Sequence, residues 1–213
     1  RILQQVRLTQ LPQMEKAARM LADATLNGHN LFVFGCNHAG LLAMEMYYRT
    51  GGMVNINPVR GPGLHLEIVP ATMTSQMERM DGYGCLLMDM TPIGKDDVII
   101  IHSVSGRNAV SVDAAIRARE KGARVIALTN METSAAVESR HKSGKKLYEV
   151  ADLVLDNCGC RGAPARRSGK DGAHVHSHWR GRAERHHVPH GRADYGCRAG
   201  CAGVHVGQHG WRR

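Results

Sequence analysis

The sequence has no apolar run long enough to cross a bilayer as a helix, which excludes a helical membrane protein and leaves no membrane partner. No secretory signal opens it; residue 1 is Arg, which suits a trimmed start. Its six cysteines do not suggest a disulfide framework, so a reduced, cytoplasmic setting is expected. No helix-turn-helix precedes the first strand pattern, which argues against direct DNA binding. From residue 158 to the end there is no Leu, Ile, Met or Phe, so no helix or strand in that stretch could bury an apolar face.

The net charge of +9 would suggest a nucleic-acid partner if it were spread over the chain. It is not. Residues 159–213 hold 11 Lys and Arg against Asp171, Glu184 and Asp194, while the preceding residues hold 17 bases and 16 acids. The body is near neutral, and no nucleic-acid partner is expected for it.

What is present is organised around residues 98–108. Val98-Ile99-Ile100-Ile101 is a β-branched apolar run, suited to a strand buried on both faces of a parallel sheet. His102-Ser103-Val104-Ser105-Gly106-Arg107-Asn108 follows as a hydroxyl-rich turn, and a helical pattern runs from Ala109 to Lys121. Free N–H groups and the positive end of a helix dipole meet in such a turn, which favours an anion. Ser103 and Ser105 could also simply cap the helix. Several donors in one turn favour a phosphate-type ligand.

The rest of the body repeats this unit. Residues 2–26 read as helix, with Pro12 marking a break or a second first turn, and with Leu11, Met14 and Leu21 on an apolar face. Residues 31–34 and 124–128 read as strands, with 54–56 and 153–155 as shorter ones. Helices are expected over 41–49, 74–80, 85–90 and 135–140, with Gly82-Tyr83-Gly84 as an interruption and 57–63 as loop. Alternating strands and helices imply a parallel sheet covered on both faces, with ligands beyond the carboxyl ends of the strands. Three polar exits stand there, at 35–40, 103–108 and 129–134. The candidate ligand-binding residues are Gly35, Asn37, His38, Ser103, Ser105, Gly106, Arg107, Asn108, Thr129, Asn130 and Ser134.

Phe34-Gly35-Cys36-Asn37-His38, Ser103-Val104-Ser105-Gly106-Arg107-Asn108 and Ala127-Leu128-Thr129-Asn130 with Ser134 resemble the sugar isomerase (SIS) domain. More narrowly, residues 46–52, 105–110 and 139–141, with 147–152 and Asp156-Asn157, are similar to a bacterial family of single-domain SIS proteins, the UPF0309-like group. The resemblance covers about residues 10–158. It implies a three-layer αβα sandwich on a flavodoxin-like parallel sheet, a phosphosugar ligand, no cofactor and no metal, and a homodimer or homotetramer, with Leu11, Met14 and Leu21 as candidate contacts. One departure stands out. Where relatives more often carry Thr-Gly-His-Ser, this chain has Cys36-Asn37-His38-Ala39-Gly40, so its first loop offers fewer hydroxyls.

The match stops near Asn157, where the composition also breaks. The family has a Gly-Pro-Thr-Ser-Thr motif there, then an apolar helix, then a segment ending Asp-Gly-Gly. Possible codons of residues 172–176 read one nucleotide later permit the first motif, and those of 210–212 permit the last. This points to a frameshift between Asp156 and Gly172, which would make residues 159–213 a basic tail without a packed fold. A natural basic tail and a metal site built on His174, His176, His178, Cys197 and Cys201 are the alternatives, and the spacings fit no zinc pattern well.

Aldose–ketose isomerisation needs a group that moves a proton between adjacent carbons. His38 lies in the first ligand loop, and Glu67, in Gly63-Leu64-His65-Leu66-Glu67, follows a flexible loop; SIS isomerases use a Glu from a comparable region. Glu67 and His38 are therefore the candidate catalytic residues, with His65 as a rival, while His102 and His141 read as structural. A sugar-phosphate isomerase is one reading; a non-catalytic phosphosugar sensor is the other.

Overall fold

The computed structural model describes residues 2–159. Five parallel strands form one sheet: β1 (Leu31–Gly35), β2 (Ile56–Pro58), β3 (Val98–His102), β4 (Arg124–Thr129) and β5 (Leu153–Asp156). Their spatial order is β2-β1-β3-β4-β5, the flavodoxin-like order expected. The register sets Ile99 of β3 opposite Phe32 of β1 and Val125 of β4. Side chains alternate across the sheet. Phe32, Phe34, Ile99, Ile101, Val125 and Ala127 face one layer; Leu31, Val33, Val98, Ile100 and Ile126 face the other.

The helices cover both faces. Helices α1 (Ile2–Thr9), α2 (Leu11–Leu26) and α3 (Gly40–Met46) precede β2; α2 and α3 supply Ala17, Ala24 and Ala43 to the second layer. After β2 come α4 (Thr74–Met77) and α5 (Tyr83–Met90), then α6 (Ala109–Glu120) after β3. Helices α5 and α6, with α8 (Leu147–Val150), cover the first layer through Leu87, Met88, Val110, Val112, Leu147 and Val150. Between β4 and α8 lies α7 (Met131–Ala135).

Several boundaries differ from those read in the sequence. The third helix stops at Met46 rather than Arg49, because Tyr47 is extended and Tyr48 is left-handed at φ 48°. The second strand is Ile56–Pro58, not 54–56; Pro58 is tolerated because β2 is an edge strand paired only with β1. The expected helix over 135–140 is instead α7, started by Asn130, whose side-chain oxygen accepts the Thr133 N–H at 2.7 Å. Helix α8 has no counterpart among the helices read from the sequence. The 74–80 helix ends at Met77. Gly82, at φ +80°, opens α5, and Gly84 lies inside that helix rather than breaking it. A Cβ on Gly84 would stand 2.6 Å from Asp113 Cβ and against the Val110 carbonyl, so the glycine lets α5 and α6 touch. Of the apolar positions assigned to a partner, Leu11 and Met14 are exposed, whereas Leu21 packs on this chain's own sheet. The tail and its cysteines and histidines from residue 160 onward lie outside the described residues.

Candidate functional site

The site begins where the strand order reverses. β1 is followed outward by β2, and the chain then crosses back to β3 on the other side of β1. Gly35 and His102 end β1 and β3 as register partners, so the loops after them leave side by side. The first loop turns at Asn37, at φ 55°, into a short 3-10 turn over Asn37–Ala39. Its Asn37 N–H donates to the Leu64 carbonyl at 2.8 Å. A Cβ on Gly35 would lie 2.5 Å from the Ala39 carbonyl oxygen, so this loop can close only over glycine. His102 Nδ1 lies 3.1 Å from the same carbonyl, which can only accept, so Nδ1 carries the proton. Burial pushes the His102 pKa down against that contact.

The second loop, residues 103–108, is held by its carbonyls. Thr129 Oγ1 and the Asn130 N–H donate to the Val104 carbonyl at 3.0 and 3.1 Å. Ser134 Oγ donates to Ser105 at 2.8 Å, the Leu147 N–H to Gly106 at 2.8 Å and the Arg140 N–H to Arg107 at 2.8 Å. Gly106 sits at φ +58°, where only glycine is relaxed, and its N–H donates to Ser103 Oγ at 3.2 Å. Four successive carbonyls are thus pinned from β4, α7 and the segment beyond. Among the described residues nothing accepts from the N–H groups of Ser105, Arg107 or Asn108. A run of N–H groups ahead of the α6 N-terminus, with the carbonyls tied back, is an arrangement suited to an anion.

The third exit, 129–134, has a different task in this structure from that of an open ligand loop. Thr129 and Ser134 are fully buried beneath the second loop. Asn130 caps α7 and donates to Asn157 Oδ1 at 2.8 Å and the Gly159 carbonyl at 2.6 Å. These three residues shape the loop above them.

Two side chains join the loops that sequence reasoning did not single out. Glu78 follows α4, and its carbonyl accepts the Val110 N–H of α6 at 3.2 Å. The side-chain amides of Asn37 and Asn108, one from each loop, favour its charged form. Burial pushes the Glu78 pKa up, opposed by those amides and by Arg79 and Arg140. Arg140 Nη1 donates to Asn108 Oδ1 at 3.0 Å. Burial, then Arg107 and Arg79, push the Arg140 pKa down, with Glu78 opposing. Beneath them the Cys36 thiol is pushed up to about 12 by burial and the Glu78 charge, against a Ser111 hydrogen bond, so it stays protonated and is no nucleophile. Glu78-Arg79 in the sequence looks like any solvated pair at a helix end. Arg140 stands in Ser139-Arg140-His141, where nothing local in the sequence marks it as part of a site.

The expected proton-moving residues sit around the first loop. His38 is exposed within the 3-10 turn, and Glu67 is exposed beyond Leu64. His65 is half-buried over Gly40, and its buried Nε2 has no hydrogen-bond partner among the described residues. His141 is structural, as expected: its Nε2 lies 2.9 Å from Asp113 Oδ1 in a buried pair, while Asp113 Oδ2 accepts the Gly82 N–H at 2.6 Å.

A five-stranded parallel sheet in this order, with helices on both faces, defines an α/β protein of flavodoxin-like topology. The SIS domain family model matches residues 1–130, and the chain belongs to that family. It is 50% identical over 144 residues to a UPF0309 protein from Shouchella clausii, covering 68% of this chain and 58% of that one. It is 43% identical over 169 residues to a UPF0309 protein from Halalkalibacterium halodurans, covering 79% of this chain and 68% of that one. A UPF0309 protein from Oceanobacillus iheyensis is 48% identical over 147 residues. The chain spans 58% and 60% of the lengths of the Shouchella clausii and Oceanobacillus iheyensis relatives. Among solved structures, a phosphoheptose isomerase from Francisella tularensis superposes with a TM-score of 0.51 at 17% identity, over 73% of this chain and 78% of that one. That likeness is one of fold. Among the described residues no helix is long and apolar enough to cross a membrane.

Proposed function

We propose that this chain binds a phosphosugar at the carboxyl ends of β1 and β3 and interconverts its aldose and ketose forms. The observation that carries the reading is the tied-back second loop. Its four pinned carbonyls leave the N–H groups of Ser105, Arg107 and Asn108 for a phosphate, and the α6 dipole and the Arg107 guanidinium add positive charge. The sugar then extends toward the first loop, where His38, His65 and Glu67 are the groups able to move a proton between adjacent carbons. Membership of the SIS family supports the ligand class.

Titration calorimetry against a pentose, a hexose and a heptose phosphate tests the ligand class, and product analysis on the sugar that binds tests the reaction. Ser105→Ala combined with Arg107→Ala should weaken binding by about 1–3 kcal/mol through lost charge-assisted hydrogen bonds. Unchanged affinity would remove the phosphate from this loop. Binding without turnover would favour the sensory reading.

A further inference from the structure

A cavity lies off the outer edge of β2, on the side of the sheet that α5 covers. Its volume is about 800 Å³, within the roughly 300–1,000 Å³ of small-molecule sites. None of the residues assigned above to the phosphosugar lines it. Phe32 of β1 and Val59, just past β2, line it from the sheet and are buried. Leu86 and Met90 line it from α5, one helical turn apart, and both are exposed. Two large apolar side chains on one helix face, beside an apolar hollow, are a surface that an apolar occupant would take out of water.

Most of the polar lining is spent on this chain's own backbone. Asn57 Nδ2 donates to the Leu31 and Asn55 carbonyls at 3.2 and 3.0 Å, the Tyr83 hydroxyl to the Pro62 carbonyl at 2.7 Å, and Thr91 Oγ1 to the Leu87 carbonyl at 2.7 Å. Arg60 is different. Its guanidinium makes no hydrogen bond or ion pair among the described residues and lies over the Tyr47 ring, 5.8 Å from the centroid. No lining residue is acidic. The hollow therefore carries one positive charge without a counter-ion, set against an aromatic face that leaves its donors unused. A neutral apolar molecule would leave that cation alone, and a small hydrophilic anion would leave the apolar wall bare. The strand of another chain is poorly suited to this edge, because β2 has three residues and one of them is Pro58.

We infer that this cavity is a second ligand site, separate from the phosphosugar loops, for a small amphiphilic anion. A carboxylate sits on the Arg60 fork, which can take both of its oxygens, and an alkyl or aromatic body lies between Phe32 and the Leu86–Met90 face.

The test titrates octanoate, octanol and acetate into the full chain by calorimetry. Octanoate should bind at least about tenfold more tightly than octanol, which has the body without the charge, and acetate, with the charge alone, at least about tenfold more weakly than octanoate. Arg60→Gln should bring octanoate to within about threefold of octanol, and Arg60→Lys should restore part of the difference. Leu86→Gln combined with Met90→Gln should weaken both by about threefold or more. Ser105→Ala combined with Arg107→Ala should leave octanoate affinity unchanged. Arg60, Leu86 and Met90 are exposed, so their variants keep the fold, and thermal unfolding checks this. Failure of octanoate to bind overturns the inference, as does equal affinity for octanol or for acetate. A preference that survives Arg60→Gln overturns it too, and one lost with Ser105→Ala and Arg107→Ala would move the carboxylate to the second loop. Light scattering supplies the last arm: a parent dimer that the Leu86 and Met90 changes turn into a monomer would give this face to a second copy and overturn the inference.

Discussion

Glu78 shows how one residue can serve a site at the expense of the fold. Its carboxyl is held above the ordinary glutamate range chiefly by burial, in spite of two amides and two arginines that favour the charged form. In the unfolded chain it would titrate near about 4.3. The folded state therefore binds the proton more tightly than the unfolded state does. The stability this contributes is fully present below about pH 4 and is lost as pH rises through the raised value. Glutamine stays neutral and escapes that loss. Glu78→Gln is expected to unfold at a higher temperature than the parent near neutral pH, with the gap closing toward about pH 4. Thermal unfolding measured across that range would show it, and an equal or lower midpoint near neutrality would mean that the carboxylate is needed to hold its arginines together.

Among the elements, α5 and α6 make the contact most sensitive to a single atom. Gly84 brings α5 against Val110, Asp113 and Ala114 of α6. Gly84→Ala is expected to cost roughly 1–3 kcal/mol, the usual range for overpacking, in a urea unfolding series. A neutral result would mean that the helices separate freely. This contact was not legible in the sequence, where Gly82-Tyr83-Gly84 looked like punctuation, because the residues that need the glycine lie nearly a whole crossover further on. The strand β3 was legible from Val98-Ile99-Ile100-Ile101 alone, since a β-branched run between turn residues has few other uses. The polar exits were legible too, as changes from apolar to hydroxyl-rich sequence. Which of their residues face a ligand was not. Thr129 and Ser134 have the hydroxyls of binding residues but spend them on the carbonyls of Val104 and Ser105. Glu78 and Arg140 stayed hidden because only the sheet order brings residues 37, 78, 108 and 140 together.

At the scale of the whole chain, the family match and the break in composition have to be set side by side. The protein spans 58% of the Shouchella clausii relative, and its last Leu, Ile, Met or Phe is Leu155, while the match to the Halalkalibacterium halodurans relative covers 79% of the chain. We propose that the reading frame changes between Asp156 and Gly172. Resequencing the gene across that interval is expected to show an inserted or missing nucleotide, after which the corrected frame should encode Gly-Pro-Thr-Ser-Thr and an apolar helix. A confirmed frame, with a protease-resistant tail that binds zinc stoichiometrically, would replace this with the metal-site reading.

The pinning of the second loop also bears on how the molecule opens. The Arg140 and Leu147 amide protons sit on the Arg107 and Gly106 carbonyls, so neither can exchange with solvent until the loop lets go. Local opening of residues 139–150 and release of the loop are then one event. A bound anion stabilises the closed form by mass action and must slow that event, although the Leu147 amide belongs to no ligand-facing loop. Hydrogen exchange should accordingly show the Arg140 and Leu147 amides slowing together as phosphosugar is added, while the amides at the far ends of the strands keep their rates.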